Sequence, residues 1–140
     1  MRKDWDSYFI EMAVLASERA TCERLKVGAI LVKNKRVIAT GYNGSPSNSP
    51  HCIDVGCKIV DNHCVRTIHA EQNALFQCAR YGVSSEGATI YCTHFPCLLC
   101  TKSIIQAGIS EVVYLNDYKN DNYAIELLQE AGIKIRKVDV

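Results

Sequence analysis

No stretch of this chain is apolar for long enough to span a bilayer, and no apolar signal core follows Met1. Met1 to Trp5 lead straight into an amphipathic pattern. A soluble, cytoplasmic protein that does not engage a membrane is therefore expected. Nor is there a block of like charge. Sixteen Lys and Arg against fifteen Asp and Glu leave a net charge of +1, which argues against a broad surface for polymeric nucleic acid. A small anionic substrate needs only a few local cations, so a nucleotide is compatible with that balance. Internal repeats and low-complexity tracts are absent too. The 140 residues predict one domain, 1–140, with a core that needs no disulfide support. What the chain does have is cysteine, eight in all. Without an export signal these read as metal ligands and buried small side chains rather than as disulfides.

Phe9, Met12, Ala13 and Ala16 follow helical spacing, which predicts a first helix over about Trp5–Ala20. Val27–Val32 and Val37–Tyr42 are β-rich runs on either side of Asn34-Lys35, a hairpin signal. From Gly44 to Cys64 the chain is polar and without period. A loop of that length in a compact domain is usually functional or tied down. Helical spacing resumes over Arg66–Tyr81 with Gly82 as a stop, and Ala88–Thr93 reads as a strand. Pro96 suits the first turn of a helix running to about Ala107. A strand at Glu111–Leu115, a helix at Asn122–Ala131 closed by Gly132, and a strand at Ile133–Val138 complete the pattern. This order predicts an α/β fold, a three-layer α/β/α domain with a five-stranded mixed sheet. Its last strands should run parallel through right-handed crossovers.

His69-Ala70-Glu71 and Pro96-Cys97-Leu98-Leu99-Cys100 carry the chemistry. His69 falls in the first turn of the second predicted helix, and Cys97 and Cys100 in that of the third. A spacing of three puts both sulfurs on one helical face. Helix N-termini favour the thiolate forms that a metal requires. Three protein ligands leave the fourth tetrahedral position of a zinc ion free for water, whereas structural sites use four. Zinc lowers the pKa of such a water to about 7. Glu71 should point to another side of its helix and stay off the metal, where it suits proton transfer.

The ordered pair of motifs resembles the H-x-E and P-C-x-x-C signature of the zinc deaminases that act on nucleobases. The likeness runs from Lys26-Val27-Gly28-Ala29 to Ala131-Gly132-Ile133, and it resembles the cytidine and deoxycytidylate deaminase family. Within that family it is similar to the deoxycytidylate (dCMP) branch, through Gly41-Tyr42-Asn43-Gly44-Ser45-Pro46, Cys64-Val65-Arg66-Thr67-Ile68 and Gln72-Asn73-Ala74. The resemblance implies a cytidine-deaminase-like fold and hydrolysis of dCMP to dUMP and ammonia, supplying dUMP for thymidylate synthesis. Hydroxide would attack C4 of the base while Glu71 carries a proton to N3.

Asn43 matches the family asparagine that meets the sugar, and Thr93 the position that lines the base pocket. Arg66, Lys119, Lys102 and Arg24 are candidates for the 5′-phosphate, because cationic donors suit that group. Tyr118 is a candidate to pack over the substrate. The resemblance also implies a homo-oligomer, commonly a hexamer, activated by dCTP and inhibited by dTTP, with Mg2+ accompanying the nucleotide effector. Arg80, at the far end of the helix that begins near His69, matches an effector-linked arginine.

Some dCMP deaminases hold a second, structural zinc. Cys22 and Cys52 match two of its ligand positions, while Thr67 stands where a glutamate would ligate. Cys57, His63 or Cys64 is left to complete the set. The alternative is free buried cysteines. Cys78 and Cys92 read as core residues, and His51 and His94 acquire no role. Competing readings are a deaminase of free cytidine or another base, a tRNA-editing relative, and a regulatory protein that keeps the zinc fold without catalysis. Retention of Glu71 argues against the last.

Overall fold

A computed structural model describes all residues, Met1–Val140. The elements are α1 (Trp5–Ser17), β1 (Gly28–Lys33), β2 (Arg36–Tyr42), α2 (Cys52–Val55), β3 (Ile59–Val60) and β4 (His63–Cys64). They continue with α3 (Ala70–Tyr81), β5 (Thr89–His94), α4 (Leu98–Gln106), β6 (Glu111–Asn116), α5 (Asn122–Glu130) and β7 (Lys134–Lys137). The five-stranded sheet runs β2-β1-β5-β6-β7. β1 is antiparallel to both β2 and β5, while β5, β6 and β7 are parallel. The expected mixed sheet is therefore present. α1 covers one face through Phe9, Ile10 and Ala13 packed on Ile30, Tyr91 and Val113. The other face carries α3, α4 and α5, whose Ala74, Ile104 and Leu128 pack with Leu31, Ile90 and Val112.

Local chemistry explains most boundaries. The Asp4 carboxylate accepts the Ser7 N–H at 2.8 Å and starts α1, and Asp121 starts α5 by accepting from Ala124 at 3.0 Å. Asn34 and Lys35 take φ of 53° and 61°, the two-residue turn whose twist matches a hairpin. α1 stops at Ser17 rather than Ala20 because the next residues tighten into i to i−3 bonds, ending with Ala20 N–H to Ser17 O at 3.0 Å. α3 begins at Ala70 rather than Arg66. Ile68 is held extended by a two-way backbone bridge to Gly44, and the His69 N–H is accepted by Gln72 Oε1 at 3.2 Å.

Two features place α3 on the sheet. Gly41 of β2 lies under its first turn, where a Cβ would collide with the Ala70 carbonyl oxygen. Asn73 Nδ2 donates to Tyr42 O at 2.7 Å, and Gln77 Oε1 accepts the Thr40 N–H at 2.8 Å. The edge strand β2 is thereby tied to the helix. The 44–64 segment contains structure that periodicity did not reveal: α2, and the β3–β4 hairpin turning at Asp61 and Asn62 with φ of 49° and 64°.

The far edge is fastened by Arg136 of β7. Its guanidinium contacts Asp6 at 2.7 Å and Glu111 at 2.6 Å, and Tyr91 Oη donates to Asp6 at 2.9 Å. These hydrogen bonds, led by those from Arg136, hold the Asp6 carboxyl below its ordinary 3.8. A lowered carboxylate pKa stabilises the fold above the unfolded value and stops doing so as pH falls through the folded one. Arg136→Ala is therefore expected to cost about 1 kcal/mol at pH 7, given the partial exposure of the network. Thermal melts should show that difference closing below pH 3.8.

Candidate active site

His69 is the residue that caps α3 and Cys97 the one that caps α4, both with extended backbone. Neither lies inside its first helical turn, where the spacing alone had put it. Cys100 does, and its N–H points at Cys97 Sγ at 3.4 Å. A capping residue sits half outside the helix with its side chain turned across the end. The two ends meet so that His69 Nδ1 lies 3.2 Å from Cys100 Sγ and 3.4 Å from Cys97 Sγ. All three donor atoms fall within 4.8 Å of one another.

Hydrogen bonds from Cys100 and then His69 bring the Cys97 thiol down to about 4. The neighbouring Cys97 and burial push Cys100 well up, and the bond to Cys97 raises His69. One nitrogen and two sulfurs fit zinc, and they leave a tetrahedral position open. Glu71 is 5% exposed. It is outside the donor set yet near enough for the charges of Cys97 and His69 to act on it. Burial in a low-dielectric site carries its carboxyl to about 7.

The other candidates are distributed around this centre. Asn43 is buried, with Oδ1 accepting the Val27 N–H at 2.8 Å and Nδ2 donating to Leu25 O at 2.6 Å. One amide hydrogen and one lone pair remain for a ligand. Thr93 is buried near the end of β5, its hydroxyl accepting the Gly28 N–H at 3.0 Å. Tyr118 is exposed after β6 and meets the His94 ring edge-on at 6.0 Å. Arg66 Nε donates to Gly56 O at 3.1 Å, and Arg24 to Asn62 O at 3.3 Å. Both arginines thus serve loop carbonyls, and Lys102 is exposed on α4.

Arg80 lines a separate cleft of 380 Å³ with Tyr42, Ser45, His51 and Gln77. In its lining, the buried Ser45 Oγ and His51 Nδ1 have no hydrogen-bond partner. His51 thus enters a site that residue type alone did not suggest.

A second cluster lies in the 44–64 segment. Cys22 and Cys57 sulfurs are 3.7 Å apart and those of Cys52 and Cys64 3.6 Å, and all four fall within 4.8 Å of one another. His63 is outside the group: as the neighbour of Cys64 on a strand it faces the other way and is exposed. Burial carries the Cys52 thiol up to about 12. Burial also pushes on Cys64, but backbone N–H groups of Arg66 and Lys58 outweigh it and bring that thiol to about 7.

Comparison with known proteins agrees with this geometry. The chain is 52% identical over 139 residues to ComE operon protein 2 of Bacillus subtilis, covering 99% of this chain and 74% of that one. It is 43% identical over 143 residues to the deoxycytidylate deaminase of Saccharomyces cerevisiae, of whose length it spans 46%. The crystal structure of the dCMP deaminase from the cyanophage S-TIM5 in complex with dCMP and dUMP superposes with a TM-score of 0.86 at 38% identity, covering 99% of each chain. Residues 3–116 match the cytidine and deoxycytidylate deaminase zinc-binding region. Because that match takes in most of the sequence and both metal motifs, the chain belongs to the cytidine and deoxycytidylate deaminase family.

Proposed function

We propose that this chain hydrolyses dCMP to dUMP and ammonia, supplying dUMP for thymidylate synthesis. The observation that carries the reading is the His69, Cys97 and Cys100 donor set beside a buried, proton-holding Glu71. Zinc bound by those three residues supplies Lewis acidity that brings the pKa of water to about 7. Glu71, with a carboxyl poised near the same value, takes a proton from the attacking water and passes it to N3 of the cytosine ring. It would then take the remaining proton from the hydroxyl added at C4 and pass it to the amine, so that the C4–N bond breaks with release of ammonia as the C4 carbonyl forms. Asn43 turns its free amide hydrogen toward the sugar, and Thr93 borders the base. Release of ammonia from dCMP by the zinc-loaded protein tests this reading, with faster turnover of dCMP than of deoxycytidine or cytidine expected. Absence of dCMP turnover in protein with zinc bound would refute it.

The cluster of Cys22, Cys52, Cys57 and Cys64 is read as a second, structural zinc site, because four thiols complete a tetrahedral set with no position left for water. The Arg80 cleft is read as the effector site, where dCTP with Mg2+ activates and dTTP inhibits. Its two unpartnered polar atoms and its guanidinium are suited to a nucleotide. Arg80→Ala should keep basal turnover and lose most of the dCTP stimulation, measured as the ratio of rates with and without dCTP. An unchanged ratio would remove Arg80 from the effector site. A homo-hexamer is the assembly this reading favours. No helix is long and apolar enough to cross a membrane.

A further inference from the structure

The sulfurs of Cys22, Cys52, Cys57 and Cys64 are spaced for a single ion. Thiolates about 2.3 Å from a tetrahedral zinc stand about 3.8 Å apart. Here Cys22 and Cys57 are at 3.7 Å, Cys52 and Cys64 at 3.6 Å, and all four lie within 4.8 Å of one another. Each close pair joins a buried cysteine, Cys22 or Cys52, to a partly exposed one, Cys57 or Cys64. Cys57 lies between α2 and β3, and Cys64 ends β4. A disulfide needs sulfurs at about 2.05 Å, so each pair has about 1.6 Å to close. No long helix or strand in this segment resists that movement.

The buried pair of cysteines anchors the surroundings of Asn43. Ile53, beside Cys52, donates its N–H to Thr21 O at 3.0 Å, and Thr21, beside Cys22, donates to Asn43 O at 3.1 Å. The segment after Cys22 supplies both partners of the Asn43 side chain, Leu25 O and the Val27 N–H. A metal ion held by all four sulfurs ties Cys22 to Cys52. Disulfides within the two close pairs do not: each ties a buried cysteine to an exposed one and leaves Cys22 and Cys52 unjoined.

We propose that this cluster is an oxidation-sensitive switch. Hydrogen peroxide converts it to Cys22–Cys57 and Cys52–Cys64 disulfides, releases zinc and loosens the segment that positions Asn43. This rests on the readings of the four cysteines as a zinc site and of Asn43 as the sugar contact. In each pair the exposed thiolate attacks the peroxide, the O–O bond breaks, and a sulfenic acid and hydroxide form. The buried thiolate then attacks the sulfenic sulfur, making the S–S bond and expelling a second hydroxide. Protons from solvent turn both hydroxides into water. For the whole cluster, four thiolates give four electrons to two peroxides and four protons are consumed. The products are two disulfides, four waters and Zn2+. A dithiol reductant reverses the change by exchange, and the restored thiolates can take zinc again.

The test titrates the zinc-loaded protein with hydrogen peroxide in the presence of a chromogenic zinc chelator. The remaining thiols are then alkylated after unfolding, the disulfides are mapped by mass spectrometry, and kcat and KM on dCMP are measured. Release of one of two zinc ions per chain is expected. The map should contain Cys22–Cys57 and Cys52–Cys64, with Cys97 and Cys100 alkylated. KM should rise about fivefold or more, the worth of one lost hydrogen bond, with kcat moved less. Dithiothreitol followed by zinc should restore the metal content, the thiols and KM. Three results would each overturn the proposal and leave the zinc reading intact. They are both ions retained with every thiol alkylated, a Cys97–Cys100 disulfide formed first, and the expected disulfides with KM unchanged. A parent protein that carries one zinc ion would overturn both.

Discussion

Glu71→Gln is expected to retain zinc and the parental melting temperature to within a few degrees, yet to lose about 10³-fold in kcat on dCMP. The size follows from the general acid–base contribution of one positioned side chain. The stability expectation follows from burial. A carboxyl that burial has raised to about 7 is already half neutral at that pH, so an uncharged amide of the same shape costs the fold little. Zinc retention follows from the donor set, which does not include Glu71. Zinc content by atomic emission, a thermal melt and steady-state kinetics check all three. Turnover near the parental rate would remove Glu71 from the proton path.

Replacing Cys57 by serine should have the other large effect, on stability rather than on chemistry. The expected metal content falls from two zinc ions per chain to one, and Tm falls on the order of 10 °C, because metal binding at a four-thiol site is itself folding free energy. The damage should also reach the substrate. Ile53, beside Cys52, donates its N–H to Thr21 O at 3.0 Å, and Thr21, beside Cys22, donates its own to Asn43 O at 3.1 Å. Loosening the cluster loosens the asparagine assigned to the sugar, so KM for dCMP should rise more than kcat falls. Metal content of one in the parent protein, with Tm unmoved by the substitution, would identify the cysteines as free thiols.

The donor cluster was legible because His69, Cys97 and Cys100 come in two short, locally spaced motifs, and the layer order because amphipathic helices and β-rich runs announce themselves over many residues. The 44–64 segment was opaque for the opposite reason. α2 is four residues long and β3 and β4 are two each, too short for any period to register, and the cysteines that cluster there come from positions as far apart as Cys22 and Cys64. His69 as a cap rather than a helical residue depends on Gln72 reaching back and on Gly44 pairing with Ile68, contacts that spacing does not encode. The phosphate candidates failed to separate on residue type because all were basic. Which carbonyls Arg24 and Arg66 would meet is decided by turns.

α3 has His69 at its head and Arg80 in its last turn. Its twelve residues make a rod about 18 Å long, resting at the head on a glycine and lashed along β2 by Asn73 and Gln77. A rod cannot bend to suit one end alone. The proposed effector cleft and the proposed metal ligand His69 thus stand at opposite ends of one helix, and a nucleotide bound against Arg80 would act on the imidazole through twelve residues of hydrogen-bonded backbone.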